Sequence, residues 1–495
     1  MKIIFSKTAI PKSGNLIVFS DVCGGLSPFA QKVNREIGGQ LSRSIEANPC
    51  KKKFGQIIIF EVPVGLQVTR ITLVGLGDLK ELDFTRAQKL GGKIIEAIKL
   101  LGDESISVAF DYSIKNGFSA VELSSNIAFG ARLRYHRFDK YRTKKLEDEI
   151  PTINRMNIMT VDAKVARRAF MPLKYLAEGV LLARDLVTEP GNVLYPESYA
   201  AQITSLSEYG VDVEILGEKD MQLLGMKSLL AVGQGSDRKS QMVIMRWQGG
   251  PSNQKPIAFV GKGVTFDSGG ISLKPVEGMA DMKFDMAGSA AVVGLLKTLA
   301  CRKADVNVVG VVALVENMPS SKALRPGDVI KSLSGQTIEI INTDCEGRLV
   351  LADALWYTQE RFKPQCMINL ATLTYTVIAT FGYKFAGIFS NSDELAGKLT
   401  QAGLKADEAV WRLPLSHDFD KLLDSDIADM KNCTGRPANM ITAAQFLQRF
   451  VNETPWVHID IAGTAWRKEA DDLAAKGATG YGVRLLNQFV SDNYE

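Results

Sequence analysis

The chain has 495 residues, 46% of them hydrophobic and 23% charged, and this length predicts two or more domains because one ordinary hydrophobic core rarely grows so large. Its 59 Lys and Arg residues against 55 Asp and Glu leave a net charge of +4, too small to require nucleic acid or an anionic membrane as the main partner. The six cysteines show no Cys-x-x-Cys spacing, which argues against a disulfide framework or a zinc ribbon.

The N-terminus and the apolar stretches predict a cytoplasmic protein without a membrane segment. The chain begins Met-Lys-Ile-Ile-Phe and then meets Ser6 and Lys7, so it lacks the apolar core of a signal peptide. The longest apolar stretch, near residues 306–315, is about half of the roughly 20 residues that a membrane-spanning helix needs.

The first third of the chain predicts alternating strands and helices. Residues 56–62, 70–76 and 105–111 are rich in apolar residues and predict buried strands, and residues 85–101 have the apolar period of a helix. Residues 163–187 predict a long linking helix that ends before Pro190. Because charges crowd between residues 132 and 149, we place the domain boundary near residue 165, which divides the chain into domains 1–165 and 166–495.

The rest of the chain predicts a larger α/β unit. Strands that are apolar on both faces alternate with helices, a pattern typical of a mostly parallel central sheet flanked by helices. The expected strands are residues 242–247, 256–261, 306–315, 337–341, 366–370 and 456–461, and the main expected helices are 287–300, 349–362 and 443–450. The predicted fold class is therefore α/β, with a smaller N-terminal domain and a larger C-terminal domain.

Polar residues follow the predicted strands of the larger domain. Asp267 and Asn317 each follow one strand, and Asp344 and Glu346 follow another. Ligands of open α/β sheets bind outside the carboxyl ends of the strands, so we expect these side chains to meet there. The chain has only three histidines, none at a metal-ligand spacing, so a metal site would consist mostly of carboxylates and would suit hard or borderline divalent ions.

Two earlier segments carry further charged residues. Residues 260–275 predict a strand, a glycine turn at 261–263 and then Asp267, with Lys262 and Lys274 on either side. These lysines could polarise a carbonyl or bind a phosphate, and a plain tight turn is the structural alternative. Asp285 precedes an apolar helix, where a simple helix-capping role explains it equally well.

The segment 342–349, Asn-Thr-Asp-Cys-Glu-Gly-Arg-Leu, is the strongest candidate for a cation site. Asp344 and Glu346 are two residues apart, so in an extended chain both carboxylates point to the same side. Two carboxylates directed at one point are costly unless a cation or a proton lies between them. Arg348 is placed to neutralise or clamp the charge of these carboxylates. The apolar residues on both sides of the segment argue against a solvated loop.

This octet resembles the signature of the leucine aminopeptidase (cytosol aminopeptidase) family, Asn-Thr-Asp-Ala-Glu-Gly-Arg-Leu, with Cys345 in the Ala position. The resemblance runs in order from about residue 165 to 470, through segments 184–187, 192–196, 260–275, 369–374 and 458–466. It implies a hydrolase of the protease class, a cytoplasmic two-metal aminopeptidase whose C-terminal domain is catalytic. Its expected substrates are peptides, from which it removes N-terminal leucine and other apolar residues.

The resemblance also implies a ligand set for two divalent ions, Mn or Zn. The ions would share Asp267 and Glu346. One ion would add Asp344, and the other would add Lys262 and Asp285. From its sequence context alone Lys262 is better explained as a substrate clamp, since a lysine must lose its proton to bind a metal.

The remaining roles that the resemblance implies concern catalysis and binding. A metal-bridging hydroxide attacks the scissile carbonyl, Lys274 acts as the electrophile, and Arg348 holds a bicarbonate ion that serves as general base. The assembly in this family is a homohexamer. The residues that match positions lining the substrate pocket are Met282, Asn342, Thr372, Leu373 and Ala462.

Three positions depart from the family pattern. Tyr375 stands where the family usually has Gly, so either its backbone is strained by a positive φ or its ring narrows or reshapes the pocket. Asn369 stands where the family often has Asp, and Ala287 where it often has Gly. Because none of these changes a presumed metal or catalytic residue, the preference for leucine is the property that they put in question.

Two other interpretations of the chain stay open. A two-metal phosphoesterase would also use clustered acids with lysine and arginine. A DNA-binding regulatory role would rest on residues 132–145, where Arg and Lys alternate with aromatic residues and can neutralise phosphates. For that region a solvated face or an interdomain contact is the preferred explanation, and no membrane partner is expected.

Overall fold

The computed structural model describes the chain except for residues 48–52, 113–116, 145, 147 and 148. The described residues form two compact units, the first Met1–Ala177 with Glu469–Ala475 and the second Glu178–Lys468 with Lys476–Glu495. Both units are α/β, as the sequence predicts.

The first unit is built on a sheet whose strands are parallel except for one antiparallel edge pair. Its described strands are β1 (Lys2–Ser6), β2 (Asn15–Asp21), β3 (Ile57–Glu61), β4 (Arg70–Gly77), β5 (Ser105–Ala109) and β6 (Arg155–Met159). Their spatial order is β1-β6-β5-β2-β4-β3, with β3 and β4 antiparallel. Strand β2 is buried along almost its whole length, which explains its apolar run on both faces.

The first unit has the helices α1 (Pro28–Glu36), α2 (Gln40–Ala47), α3 (Phe84–Ile98) and α4 (Ala120–Tyr135), and side chains cap the start of several of them. Asp83 accepts a hydrogen bond from the N–H of Arg86 at the start of α3, and a Ser119–Glu122 capping box starts α4. The predicted linking helix is present as α5 (Ala163–Thr188), which begins in the first unit and ends in the second.

The second unit contains the larger sheet. Its strands are β7 (Asp212–Leu216), β8 (Gln241–Gln248), β9 (Ile257–Asp267), β10 (Asn307–Asn317), β13 (Cys366–Ala371), β14 (Ala386–Ser390), β15 (Val410–Arg412) and β17 (Trp456–Asp460). Their spatial order is β15-β14-β17-β13-β9-β10-β8-β7. Strands β9, β10, β13 and β17 are mutually parallel and form the centre of the sheet, whereas β14 and β8 pair with the centre in antiparallel fashion.

Smaller sheets and helices complete the second unit. The remaining strands are β11 (Val329–Lys331), β12 (Thr337–Glu339), β16 (Met430–Lys431), β18 (Trp466–Arg467) and β19 (Gly477–Ala478). The helices are α6 (Pro196–Ile203), α7 (Glu218–Leu224), α8 (Lys227–Gly233), α9 (Ala287–Arg302), α10 (Glu346–Phe362), α11 (Tyr375–Phe381), α12 (Asp393–Ala406), α13 (His417–Lys421), α14 (Asn439–Gln448) and α15 (Val483–Asn493). Short 3-10 helices cover Leu79–Glu81, Thr204–Tyr209 and Met279–Phe284.

One predicted strand belongs to a different sheet from the one expected. The sequence predicts residues 337–341 as a strand of the central sheet, but β12 pairs with β11 and β16 in a separate three-stranded sheet. The prediction was wrong because a short apolar strand has the same period whichever sheet it joins.

Helix α9 is a core helix. Within the described residues, the stretch Met279–Arg302 is long and apolar enough to cross a membrane, but 83% of its most apolar 18-residue segment is buried inside the protein. It packs against β9, β10 and β13.

Close packing of α9 on β13 depends on Gly288. A Cβ atom at Gly288 would lie 2.1 Å from the backbone oxygen of Leu370, and backbone cannot yield cheaply. We expect Gly288→Ala to destabilise the protein by about 1–3 kcal/mol, measured by thermal and urea unfolding. The matched control is Gly397→Ala in helix α12, where a Cβ meets nothing within 4 Å. That control should stabilise by up to about 1 kcal/mol, and equal effects of both variants would contradict the packing argument.

Candidate metal centre

The site begins where two neighbouring parallel strands end. Asp267 is the last residue of β9 and Asn317 is the last residue of β10, and the two are paired in register. Asn317 Nδ2 donates to Asp267 Oδ1 at 2.8 Å and to the backbone oxygen of Thr343 at 3.2 Å, so Asn317 fixes the Asp267 carboxylate. The expected meeting of polar groups at the carboxyl ends of the strands is confirmed for this pair.

The prediction of a glycine turn at residues 261–263 was wrong. Strand β9 runs without interruption through these residues to Asp267. Gly261 is needed for packing, because a Cβ there would lie 2.5 Å from Cα of Ser289. A continuous strand keeps the Lys262 side chain in the interior, where it is 2% exposed.

The real turn follows Asp267 and brings Lys274 back to it. Gly269 and Gly270 have φ values of +89° and +68°, which glycine adopts without strain. The N–H of Lys274 donates to the backbone oxygen of Ser268 at 2.9 Å. Lys274 Nζ then lies 2.8 Å from Asp267 Oδ2 and also contacts Asp344 Oδ1.

Asp344 and Glu346 converge, although the chain around them is not extended. Asp344 lies in a turn in which its N–H donates to Asn342 Oδ1 at 2.8 Å, and Glu346 is the first residue of helix α10. The prediction that strand-like spacing aligns the two carboxylates was therefore wrong in its reason. The turn and the helix start bring them together instead.

The five predicted metal ligands lie close together. One carboxylate oxygen from each of Asp267, Asp344 and Glu346 lies within 4.8 Å of the others. Lys262 Nζ is 2.8 Å from Glu346 Oε1 and 2.8 Å from Asp285. The centre thus contains four carboxylates and two lysines, Lys262 and Lys274.

The acid cluster has the character of a cation site. Among the residues that the structure describes, Asp285 Oδ2 and Asp344 Oδ1 are buried oxygens that accept no hydrogen bond, although each lies against a lysine ammonium group. Burial raises the pKa of Asp344 to about 7, and the neighbouring Asp267 and Glu346 carboxylates add to the rise. Burial likewise raises the pKa of Asp285 well above its usual value. A divalent cation would relieve both costs, so these residues fit one.

The two lysines are held as ammonium ions by this acid cluster. Burial alone would lower the pKa of Lys262, but the Asp285, Glu346 and Asp267 carboxylates outweigh burial and raise it. The same balance, with Asp267 as the strongest neighbour, raises the pKa of Lys274. Lys262 can serve as a metal ligand only when the field of a bound dication drives off its proton.

Arg348 is buried beside the centre. Its side chain is 2% exposed, and Nη1 donates to the backbone oxygen of Asn432 at 2.8 Å. Within the described part of the chain, Arg348 Nε is a buried donor without an acceptor. A buried guanidinium with a free donor fits an anion.

The predicted pocket residues differ in burial and in their contacts with the centre. Thr372 is buried, its Oγ1 donates to Asp285 Oδ1 at 2.8 Å, and its backbone oxygen accepts from Lys262 Nζ at 2.9 Å. Tyr375 begins helix α11 and is 79% exposed. The structure brings Thr372 into direct contact with the presumed ligands. Half-buried positions are taken by Met282, Asn342 and Leu373, and Ala462 lies in the apolar cluster that includes Val377 and Phe389.

Two residues that hold the loops of the site were not predicted from the sequence. Asp460 Oδ1 accepts the N–H of Leu373 at 3.1 Å and Asp460 Oδ2 accepts the Thr374 hydroxyl at 2.7 Å, so Asp460 holds the loop that carries Thr372. Its position at the end of β17 was the available signal. Asn432 clamps the other side of the site through bonds to residues about 90 positions away, and nothing local in the sequence marks it.

His458 is a core histidine. It is fully buried in β17, and its Nδ1 pairs with Asn369 Nδ2 at 2.9 Å. Trp456 Nε1 donates to Asn369 Oδ1 at 2.8 Å, which orients the amide. Burial lowers the pKa of His458 to about 3, so the ring is neutral. Asn369 therefore serves packing rather than the metal centre.

The basic region at residues 132–145 is partly occupied by internal contacts. Arg134 is 6% exposed and pairs with Glu96 at 2.6 Å. Arg137 pairs with Asp139 at 3.1 Å and also donates to the backbone oxygen of Glu149. Lys145, which the DNA-binding interpretation includes, lies outside the described residues.

Comparison with known proteins identifies relatives along the whole chain. A profile of the cytosol aminopeptidase family, catalytic domain, matches residues 181–487, and one of the N-terminal domain of that family matches residues 17–145. A "Probable cytosol aminopeptidase" of Caulobacter vibrioides is 50% identical over 97% of this chain and 96% of its own length. Another with this description, from Nitrobacter winogradskyi, is 47% identical over 100% and 99%.

Solved structures with the same fold cover both units. A tomato leucine aminopeptidase mutant is 32% identical, with a TM-score of 0.87, over 100% of this chain and 97% of that one. The bottromycin maturation enzyme BotP in complex with Mn is 31% identical, with a TM-score of 0.83, over 98% of this chain and 100% of that one.

Proposed function

Since the chain belongs to the cytosol aminopeptidase family and is a metal-dependent aminopeptidase, we propose that it removes single apolar residues, leucine among them, from peptide N-termini with two divalent cations at the candidate metal centre. The observation that carries this proposal is the convergence of Asp267, Asp344 and Glu346 oxygens within 4.8 Å of one another. A phosphoesterase would also use clustered acids, but the family membership favours peptides.

The proposed ligand set is the one that the resemblance to the family implies, and the contacts at the centre support it. Asp267 and Glu346 would bind both cations, Asp344 would complete one position, and Lys262 with Asp285 would complete the other. When bound, the two cations lower the pKa of a water nucleophile and polarise the peptide carbonyl. Manganese or zinc suits this oxygen-rich set with one nitrogen, and BotP, the relative with 31% identity, is described in complex with Mn.

Lys274 is the residue proposed to act on the substrate. Its ammonium group contacts Asp267 and Asp344, so it lies at the edge of the cation site with its charge maintained by these carboxylates. A fixed positive charge there stabilises the negative charge that develops on the carbonyl oxygen during attack. Lys274 is thus the electrophile of the proposed reaction.

Arg348 would hold a bicarbonate ion, the group that accepts a proton from the nucleophile. The buried guanidinium and its unsatisfied Nε support this role. Dialysis of the enzyme against bicarbonate-free buffer tests it. We expect activity to fall and to return with added bicarbonate in the native protein, and to show no such response in Arg348→Ala.

The setting of the enzyme is also part of the proposal. By resemblance to the family, we place the protein in the cytoplasm as a homohexamer that acts on short peptides. Sedimentation equilibrium would show six chains per particle, and cell fractionation would recover the activity with the cytosol. A monomeric active enzyme would contradict the hexamer.

Tyr375 is proposed to restrict the substrate pocket. The φ of Tyr375 is not positive, so its backbone is not strained. Its side chain is exposed, and the residue comes directly after the loop that carries Thr372. We expect Tyr375→Ala to raise the ratio of kcat/KM for substrates with N-terminal Phe to kcat/KM for substrates with N-terminal Ala by about tenfold, because the variant lacks the ring that narrows the pocket. The control is Tyr383→Ala, another exposed tyrosine, which should leave the ratio unchanged. An unchanged ratio in Tyr375→Ala would remove this residue from the pocket.

The activity itself is tested with a panel of aminoacyl-p-nitroanilides and a phosphodiester substrate. We expect metal-dependent release of p-nitroaniline, strongest with apolar N-terminal residues, and no hydrolysis of the phosphodiester. Hydrolysis of the phosphodiester alone would overturn the proposed function.

A further inference from the structure

Two free thiols lie against each other beside the candidate metal centre. Cys345 stands between Asp344 and Glu346 and forms the N-cap of helix α10, and its thiol is close enough to the Cys433 thiol for the two to interact. Asn432, which precedes Cys433, donates from its Nδ2 to the backbone oxygen of Cys345 at 3.5 Å. Cys433 follows β16 and is 6% exposed, so the two cysteines come from segments 88 positions apart in the chain. Cysteine is the one residue of the octet that differs from the family signature.

The segments that carry the two thiols are already fastened together. The side chain of Asn432, next to Cys433, accepts the N–H of Ile341 at 2.8 Å and donates to the backbone oxygen of Asn342 at 2.7 Å. Its backbone oxygen accepts from Arg348 at 2.8 Å. These bonds hold the loop with Cys433 against the start of α10, so the thiols meet without a large movement of backbone.

We propose that Cys345 and Cys433 form a reversible disulfide under peroxide, and that this bond switches off the metal centre. The loss of activity rests on the proposed function, whereas formation of the bond does not. The remaining described cysteines, Cys23, Cys301 and Cys366, form no disulfide in the described structure, and Cys50 lies outside the described residues. In a reducing compartment a disulfide of this kind is transient and signals oxidation.

The chemistry needs only a peroxide as oxidant. The sulfur of Cys433 attacks one oxygen of hydrogen peroxide, the O–O bond breaks, and a sulfenic acid and one water molecule form. The Cys345 sulfur then attacks the sulfenic sulfur, the S–O bond breaks, and the leaving hydroxide takes up the Cys345 proton as a second water.

The disulfide would act on the cation site through the backbone of α10. The two sulfurs must approach to about 2 Å to form the bond, so Cys345 has to shift toward Cys433. Asp344 and Glu346 flank Cys345 and would shift with it. Because carboxylates that are misplaced by a fraction of an ångström bind cations poorly, we expect activity to fall by about 10- to 100-fold.

The test uses the full-length, Mn-loaded enzyme treated with hydrogen peroxide and then digested with trypsin without reductant. Each thiol lies in its own tryptic peptide, residues 332–348 for Cys345 and residues 432–449 for Cys433. We expect mass spectrometry to find these two peptides joined, and dithiothreitol to separate them and restore activity.

The variants are Cys433→Ser and Cys345→Ala, with Cys23→Ser as the matched control on an exposed cysteine. Both site variants should lose the joined peptide and the reversible inactivation, and the control should keep both. Oxidation of either thiol without the joined peptide would overturn the proposal, as would a joined peptide with unchanged activity. If the untreated enzyme has no aminopeptidase activity, the proposed function fails, and the peptide map still decides whether the thiols pair.

Discussion

The Glu346→Gln variant is expected to lose more than about 100-fold in aminopeptidase activity while keeping its fold. Glu346 is 2% exposed, lies 2.8 Å from Lys262 Nζ, and shares a cluster with Asp267 and Asp344. The glutamine side chain has nearly the same shape as that of Glu346 but no negative charge. The substitution therefore weakens the attraction of the centre for a cation without leaving a cavity. Residues that merely orient metal ligands contribute about 10- to 100-fold, and a shared ligand should contribute more.

The measurement is kcat/KM on leucine p-nitroanilide at saturating Mn²⁺, with circular dichroism to confirm the fold. The control is Glu360→Gln, the same substitution on the exposed face of the same helix, α10. It should retain full activity. Full activity of Glu346→Gln would remove Glu346 from the centre.

The second large effect is expected from Lys274→Met, which should lower kcat by about 10²–10³-fold with little change in KM. Methionine keeps the length and apolar stem of lysine but removes the charge that contacts Asp267 and Asp344. Loss of one group that stabilises the developing oxyanion costs this much in other hydrolases. Bound metal, measured by elemental mass spectrometry, should stay at the native level.

A conservative variant separates catalysis from charge balance. Lys274→Arg restores a positive charge near the same carboxylates, so it should recover part of the lost kcat. If Lys274→Met loses metal and activity in parallel, Lys274 serves to hold the carboxylates rather than to act on the substrate.

Much of the fold could be predicted because its central strands are buried on both faces. The apolar runs that became β9, β10, β13 and β17 have no other simple explanation, and the long helix α5 is evident from its period. The sheet to which β12 belongs could not be predicted, since strand pairing depends on residues distant in the chain. The continuous course of β9 through two glycines was missed because glycine alone does not distinguish a turn from close packing.

The site was predictable where chemistry is local and unpredictable where it is tertiary. Acidic residues at the ends of predicted strands identify Asp267 and the segment 342–349 as candidates. Sequence context alone favours a substrate clamp for Lys262, and only the resemblance to the family implies that it is a metal ligand. Asn432 and Asp460 support the site through bonds that span about 90 positions of sequence. The place of Asp460 at the end of an apolar strand gave a signal, whereas nothing local in the sequence marks Asn432.

A titration of the metal-free enzyme with Mn²⁺ tests most directly whether the acid cluster binds two cations. Bound metal per chain and hydrolysis of leucine p-nitroanilide would be followed together in the native protein and in Glu346→Gln. We predict two ions per native chain, activity that appears as they bind, and fewer ions in the variant. Activity of the metal-free protein, or equal metal binding by both proteins, would contradict the account.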